Sequence, residues 1–397
     1  MKLIALRRRR PLWSVAGLLT LGAAAAATAS GGEEVPKPNP KLAAIPEQSI
    51  AVVSEGYKAD WGVLAFSGMV YDPHRHKILA FGGGHATGNF PNSVHEFDLA
   101  TLQWSALTED VPPSEYSKEN ALFAKDGQPL GGLKYKGGIW PASRHTYDGL
   151  IMAQGADVML SVGWVGDIGA ASKMPQKGAV YGQCYGKGSG LWAFDPVKRE
   201  WSVSKKAGLA FHHVGSAIWP KQPDWIYVYS QDTKFRAVNW RTEEVKELPP
   251  LPRDAWPGFV GMAYDPGGDV LLLFPSGKKD EKNAVVYRFD PNKQQWSVKP
   301  VQGDAPDTKC TAAEYDERNK VFGCFSNSYF HYFDPRTDRW YKVDRKLDDS
   351  LKKELLQYHH IYDPVDNVHI AVSDRWKTFA FKLSDTPGKL PGTAPAK

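Results

Sequence analysis

One short segment returns along the chain and constrains the fold more than any other feature. Phe97-Asp98, followed by Trp104, recurs as Phe194-Asp195-Pro196 with Trp201. It returns as Phe289-Asp290-Pro291 with Trp296 and as Phe333-Asp334-Pro335 with Trp340. A degenerate copy runs through Asn239-Trp240-Arg241 to Val245. A second element lies upstream of these: Tyr71-Asp72-Pro73, Tyr147-Asp148-Gly149, Tyr264-Asp265-Pro266, Tyr315-Asp316-Glu317 and Tyr362-Asp363-Pro364. Each precedes a short apolar run such as Lys77-Ile78-Leu79-Ala80-Phe81. Aligned copies lie 44 residues apart (Trp296 to Trp340) or 47 apart (Tyr315 to Tyr362). A recurring period in this range marks a repeat architecture.

Each repeat reads as four strands. Strand A ends at the Tyr-Asp turn, strand B is the apolar run, strand C ends at Phe-Asp and strand D begins near the Trp. Asp-Pro and Asp-Gly suit tight turns, because Asp bonds its own backbone and Pro presets φ. Four-stranded repeats of this length are propeller blades. The pattern resembles kelch repeats, the blade type of the galactose oxidase central domain, over residues 60–383. Phe81-Gly82-Gly83-Gly84 with Trp104 carries that resemblance most strongly. The other repeats read Val162-Gly163-Trp164, Tyr229-Ser230, Phe274-Pro275, Phe325-Ser326 and Val372-Ser373 where the glycine pair belongs. Six repeats fall near 60–107, 143–205, 211–249, 259–299, 309–344 and 357–383. The last lacks a fourth strand, and the run Ser49-Ile50-Ala51-Val52-Val53 is available to supply it. The expected fold is therefore an all-β, kelch-like β-propeller over 46–384. It has six blades closed by an N-terminal strand, or seven if the insertions hide a blade.

The N-terminus reads as an address. Arg7 to Arg10 precede an apolar, alanine-rich run from Leu12 to Ala27, and Ala27-Thr28-Ala29 offers the small residues of a cleavage site. Residues 1–29 are expected to be a secretory signal, 30–45 a flexible linker and 385–397 a disordered tail. Arg9-Arg10-Pro11-Leu12-Trp13 also resembles a twin-arginine export signal. The formal charge of +5 comes from this leader, because removing its five cations leaves 44 cations facing 44 anions. Such a balance argues against a nucleic-acid partner. No later stretch is long and apolar enough to span a bilayer. The mature chain is expected to be a periplasmic or secreted monomer.

The strands of a blade are antiparallel, so the loops divide between two faces. A–B and C–D turns share one face and are short. B–C loops and the D–A links share the other and carry the long insertions, near 108–142, 165–189 and 343–357. Leu347, Leu351, Leu355 and Leu356 suggest a short helix in the last. Long loops on one face of a rigid scaffold mark a binding site. His85, His145, His212, His213, His359 and His360 belong to that face, six of the eleven histidines. His74 and His76 fall in the opposite turn, where they are expected only to be solvated. His145 and His360 both stand two residues before a Tyr-Asp tyrosine, and Arg144 and His359 three before it. The candidate catalytic residues are His145, His360, His359, Tyr358 and Arg144. His85, Asn89, Asn92, His213, Asn327, Arg375 and Trp376 are candidates for substrate binding.

Three chemistries fit this set. In the first, a Tyr or neutral His abstracts a proton beside a uronate carboxylate, a second group protonates the leaving oxygen, and Arg or Asn neutralises the carboxylate. Some propeller-fold polysaccharide lyases, the ulvan lyases among them, are built this way, and the chain is similar to them in fold, export signal and residue types. The expected partner is then a polysaccharide or other glycan. In the second, His85, His145, His213 and His360 hold one zinc or copper ion. Tyr358-His359 resembles the Tyr-His copper pair of the galactose oxidase family, and Cys184 is a candidate for its thioether cysteine. In the third, the face only recognises a glycan or protein. Cys310 and Cys324 flank the turn at 316–319, within bridging distance if the register permits. A disulfide and a buried thiol pair both fit.

Overall fold

The computed structural model describes residues 36–83, 90–165, 183–185, 189–252, 260–275, 285–306, 312–326, 329–344, 355–373 and 375–391. Pro36–Lys397 forms one compact unit. The architecture is all-β and propeller-like, and no helix among the described residues is long and apolar enough to cross a membrane.

Six antiparallel sheets of at least four strands follow the repeat order among the described residues. Sheet one holds Gly68–Asp72, Lys77–Phe81, Val94–Asp98 and Gln103–Ala106. Sheet two holds Leu150–Ala153, Val158–Ser161, Trp192–Asp195 and Glu200–Val203. Sheet three holds Gly215–Ile218, Trp225–Tyr229, Phe235–Asn239 and Val245–Glu247, and sheet four Val260–Asp265, Val270–Pro275, Val285–Asp290 and Gln295–Pro300. Sheet five holds Glu314–Asp316, Val321–Phe325, Phe330–Asp334 and Arg339–Lys342, with Gln302–Gly303 added in parallel at its edge. Sheet six holds Leu355–Asp363, Val368–Ser373 and Thr378–Lys382, and its fourth strand is Ser49–Ser54 from the start of the chain. The first strands of sheets one to five each touch the first strand of the next, and that of sheet six touches that of sheet one.

The recurring motif is a packing unit. Phe97 lies opposite Trp104, Phe194 opposite Trp201, Phe289 opposite Trp296 and Phe333 opposite Trp340. Their ring centroids stand 4.8–5.3 Å apart, the tilted spacing that aromatic quadrupoles favour. The motif's aspartate makes the turn. Oδ1 of Asp98 accepts from the backbone N–H of Ala100 and Thr101, and Asp195, Asp290 and Asn239 do the same for the residues two and three ahead. The fourth residue after each turn acid is left-handed: His76, Leu102, Arg199, Glu243, Asp269, Gln294, Lys320, Asp338 and Asn367 all have φ of 51–60°. Side chains tolerate this conformation at a small cost, which the turn's own hydrogen bonds offset. Between sheets the apolar faces interlock, as where Trp104 of sheet one meets Trp376 and Ile361 of sheet six.

Three local expectations are corrected. Tyr147-Asp148-Gly149 is not an A–B turn: strand A of sheet two is Leu150–Ala153, and its turn lies at Gln154–Asp157. The alignment of His145 with His360 therefore fails, because Tyr147 precedes its strand while Tyr362 ends one. The 108–142 link folds into a three-stranded sheet of Ala121–Phe123, Pro129–Tyr135 and Gly138–Pro141. Leu355 and Leu356 begin a strand instead of ending a helix, while Leu347 and Leu351 lie outside the described residues.

Candidate functional site

Two D–A links bring four rings together between sheets two and three. Arg144–His145 forms a two-residue strand against Trp164–Val165, so His145 lies opposite Trp164. Tyr147 donates its backbone N–H to the Phe66 carbonyl at 3.0 Å, and Asp148 donates to Val214 at 3.2 Å. Phe66, Tyr147 and His213 all have positive φ, of 57°, 49° and 47°. Asp148 anchors the link below: its Oδ2 accepts from the Met262 N–H at 2.8 Å, and its carbonyl accepts from Ser216 Oγ. Burial pushes the Asp148 carboxyl well above the usual carboxylate range, and it pushes neighbouring Glu314 to about 7.

The Tyr147 hydroxyl is the hub. It stands 3.0 Å from His145 Nδ1, 3.3 Å from His212 Nε2 and 3.4 Å from His213 Nε2. The His213 ring stacks on the Tyr147 ring at 4.6 Å, and Trp164 meets His212 edge-on at 4.7 Å. His212 Nδ1 bonds Gln231 Oε1. His212 thus has Gln231 at Nδ1 and the Tyr147 hydroxyl at Nε2. His145 and Tyr147 are buried, whereas His212 and His213 are half-exposed.

His212 opens onto a pocket of about 560 Å³ lined also by Trp164, Phe211, Gln231, Asp232 and Arg236. Arg236 Nη1 bonds Ser230 Oγ at 3.1 Å and Asp232 Oδ1 at 3.0 Å, and its guanidinium lies over the Phe211 ring. Burial alone would raise the Asp232 carboxyl, but the bonds from Arg236 and Ser230 hold it down at about 2. The pocket thus offers an indole face, a fixed guanidinium–carboxylate pair and an imidazole backed by a tyrosine.

Other sequence candidates are placed elsewhere. Arg144 is fully buried, and its guanidinium donates to the carbonyls of Ala142, Gly163 and Gly131 above the Trp192 ring. Asn92 is also buried and spends its amide on the Pro141 carbonyl and the Val111 N–H. Trp376 packs in the core against Tyr57, His95 and Trp104. These three hold backbone or core together. His359 is buried against the backbone of Leu64, Ser67 and Val372 without a well-formed hydrogen bond at either ring nitrogen, and burial lowers it to about 4. His360 donates from Nδ1 to the Ala312 carbonyl at 2.8 Å, and its Nε2 faces His369 Nδ1 at 2.9 Å. It belongs to the seam between sheets five and six, and burial pushes it well below the usual range. His145 and His360 thus lie in separate clusters. Tyr358 falls on the first strand of sheet six. Arg375 is exposed at the following loop, its N–H on Ser373 Oγ. His85, Asn89, Asn327 and Cys310 lie outside the described residues. Cys324 is disulfide-bonded, and Cys184 is a free buried thiol.

Of the described metal candidates, His145 and His213 meet only through the Tyr147 hydroxyl, and His360 lies apart beside His369. Among the described residues one group brings three donor atoms within 4.8 Å of one another, namely His76, Asp363 and Asp366. It lies on the opposite face. His76 is buried at 5 % exposure and stands 3.1 Å from both oxygens of Asp363, so it does not merely solvate its turn. The repeat alignment hides Tyr147 by treating it as a turn residue. Trp164 is hidden by its place beside the degenerate glycine pair. The adjacent His212-His213 pair and the positive φ at Tyr147 are what join them.

No family model matches the chain, and no curated protein matches it. One similar solved structure is a structural-genomics protein of unknown function from Bacteroides thetaiotaomicron, at 10% identity and a TM-score of 0.46, covering 83% of this chain and 74% of that one.

Proposed function

We propose that the chain is an exported, kelch-like propeller of six blades that acts as an acid–base lyase on an acidic polysaccharide. The circular contact order of the six first strands supports the blade count, and Ser49–Ser54 beside Thr378–Lys382 supports closure by the N-terminal strand. The chemistry rests on one observation: the Tyr147 hydroxyl is ringed by His145, His212 and His213, and His212 reaches the open pocket. His212 is the group that meets substrate. Its Nδ1, exchanging Gln231 for substrate, takes the proton α to the uronate carboxylate; the bond from the β carbon to the leaving oxygen breaks as the double bond forms, and the imidazolium returns the proton to that oxygen, while Tyr147, itself held by His145 and His213, backs Nε2. Trp164 stacks on a sugar ring, and Arg236 pairs with the carboxylate by exchanging part of its contact with Asp232. The elimination leaves an unsaturated sugar end. The test is incubation with a panel of uronate polymers. New ultraviolet-absorbing ends that disappear in His212→Ala are expected, and polymer bound without turnover by wild type would instead make the face a recognition surface.

A further inference from the structure

On the face opposite this pocket, His76, Asp363 and Asp366 meet where sheet one, sheet six and the N-terminal segment join. His76 lies in the A–B turn of sheet one, and both aspartates lie in the A–B turn of sheet six. His76 Nε2 stands 3.1 Å from Asp363 Oδ2 and 3.6 Å from Asp366 Oδ2. All three side chains are buried, with exposures of 6 % for His76 and 0 % for each aspartate. The carboxylates are held in place by backbone: Val365 N–H donates to Asp363 Oδ1 at 3.0 Å, and Asn39 N–H donates to Asp366 Oδ1 at 2.6 Å. Asp366 Oδ2 faces the cluster without a hydrogen bond. Two buried carboxylates against one imidazole leave a net negative charge even when the imidazole is protonated, and uncompensated buried charge is costly.

We propose that His76, Asp363 and Asp366 bind one divalent first-row metal ion of the zinc class, which pins the N-terminal segment and sheet six to sheet one. A neutral imidazole, two carboxylates and a divalent cation sum to zero charge. Donor atoms on a tetrahedral zinc lie about 3.3 Å apart, and the two spacings here, 3.1 and 3.6 Å, bracket that value. The bonds from Val365 and Asn39 orient the carboxylates as outer hydrogen bonds do in metal sites.

The test is zinc titration of the chelated full-length chain by calorimetry and thermal unfolding, for wild type, Asp366→Asn and His76→Gln. One zinc per chain with a raised Tm is expected for wild type, and loss of both is expected for the two variants. An anomalous diffraction peak beside His76 Nε2 is the expected position. No zinc uptake by wild type, or equal uptake by both variants, would overturn the proposal. If a variant fails to fold, the anomalous peak of the wild type decides: density elsewhere, at His145 or His213, overturns it equally.

Discussion

The Tyr147 hydroxyl lies 3.0 Å from Nδ1 of His145, on the buried side of the ring cluster. On the pocket side the same oxygen meets His212. The imidazolium formed at His212 therefore faces an oxygen still held by His145. Tyr147→Phe removes the hub while keeping the ring that stacks on His213. Turnover should fall by about 10²–10⁴ with substrate binding largely kept, read by comparing kcat with KM. A variant that loses only KM would make Tyr147 a packing residue.

Arg144 should behave differently. Its planar fork reaches three carbonyls, those of Ala142, Gly163 and Gly131, which a single ammonium cannot do. Arg144→Lys is expected to cost about 3 kcal/mol by leaving buried acceptors unpaired. Chemical denaturation measures this directly. An unchanged midpoint would refute the clamp.

His95 gives a pH signature. Its Nδ1 faces the Tyr57 hydroxyl and its Nε2 the Ser93 hydroxyl, both at 2.9 Å, and burial lowers it from 6.5 to about 4. The unfolded chain takes up this proton as pH falls through 6.5, whereas the folded chain resists until about 4. Wild-type stability relative to His95→Gln should thus be full above pH 6.5 and fall by about 3 kcal/mol on reaching pH 4. The comparison with the variant is needed because Glu314, raised to about 7, acts in the opposite sense. Unfolding curves at pH 7.5 and pH 4 that differ equally for both proteins would contradict the assignment.

Trp340 tests the repeat itself. It is 1 % exposed and packs on Phe333 and Phe274. Trp340→Ala should cost about 3–5 kcal/mol, seen as a lower Tm. A loss below about 1 kcal/mol would mean that the Phe–Trp pair is incidental to the sheet.

The repeat made most of the fold legible, because one motif carries both a turn and a cross-strand contact. Asp98 caps its turn through Oδ1, and Phe97 and Trp104 face each other for the same reason that they are spaced as they are. The site was less legible. His145, His213 and the face itself follow from loop geometry. Tyr147 does not, because its Tyr-Asp-Gly sequence imitates a turn that sheet two places seven residues later, at Gln154–Asp157. Nothing in the spacing of His360 separates an exposed imidazole from one sealed in a seam, since that depends on Phe325, Phe330 and His369 closing around it. The burial of His76 is hidden for a related reason. A turn histidine is ordinarily solvated, and only the approach of Asp363 from a distant part of the chain buries it.

The central claim is that His212, backed by Tyr147, removes a proton from a uronate in the adjoining pocket. The most direct measurement is the rate of appearance of unsaturated, ultraviolet-absorbing ends from uronate polysaccharides, for wild type, His212→Ala and Tyr147→Phe. The account predicts release by wild type and its near-complete loss in both variants, which should still fold and bind polymer. Release that persists undiminished in His212→Ala, or no release from any uronate polymer by wild type, would contradict it.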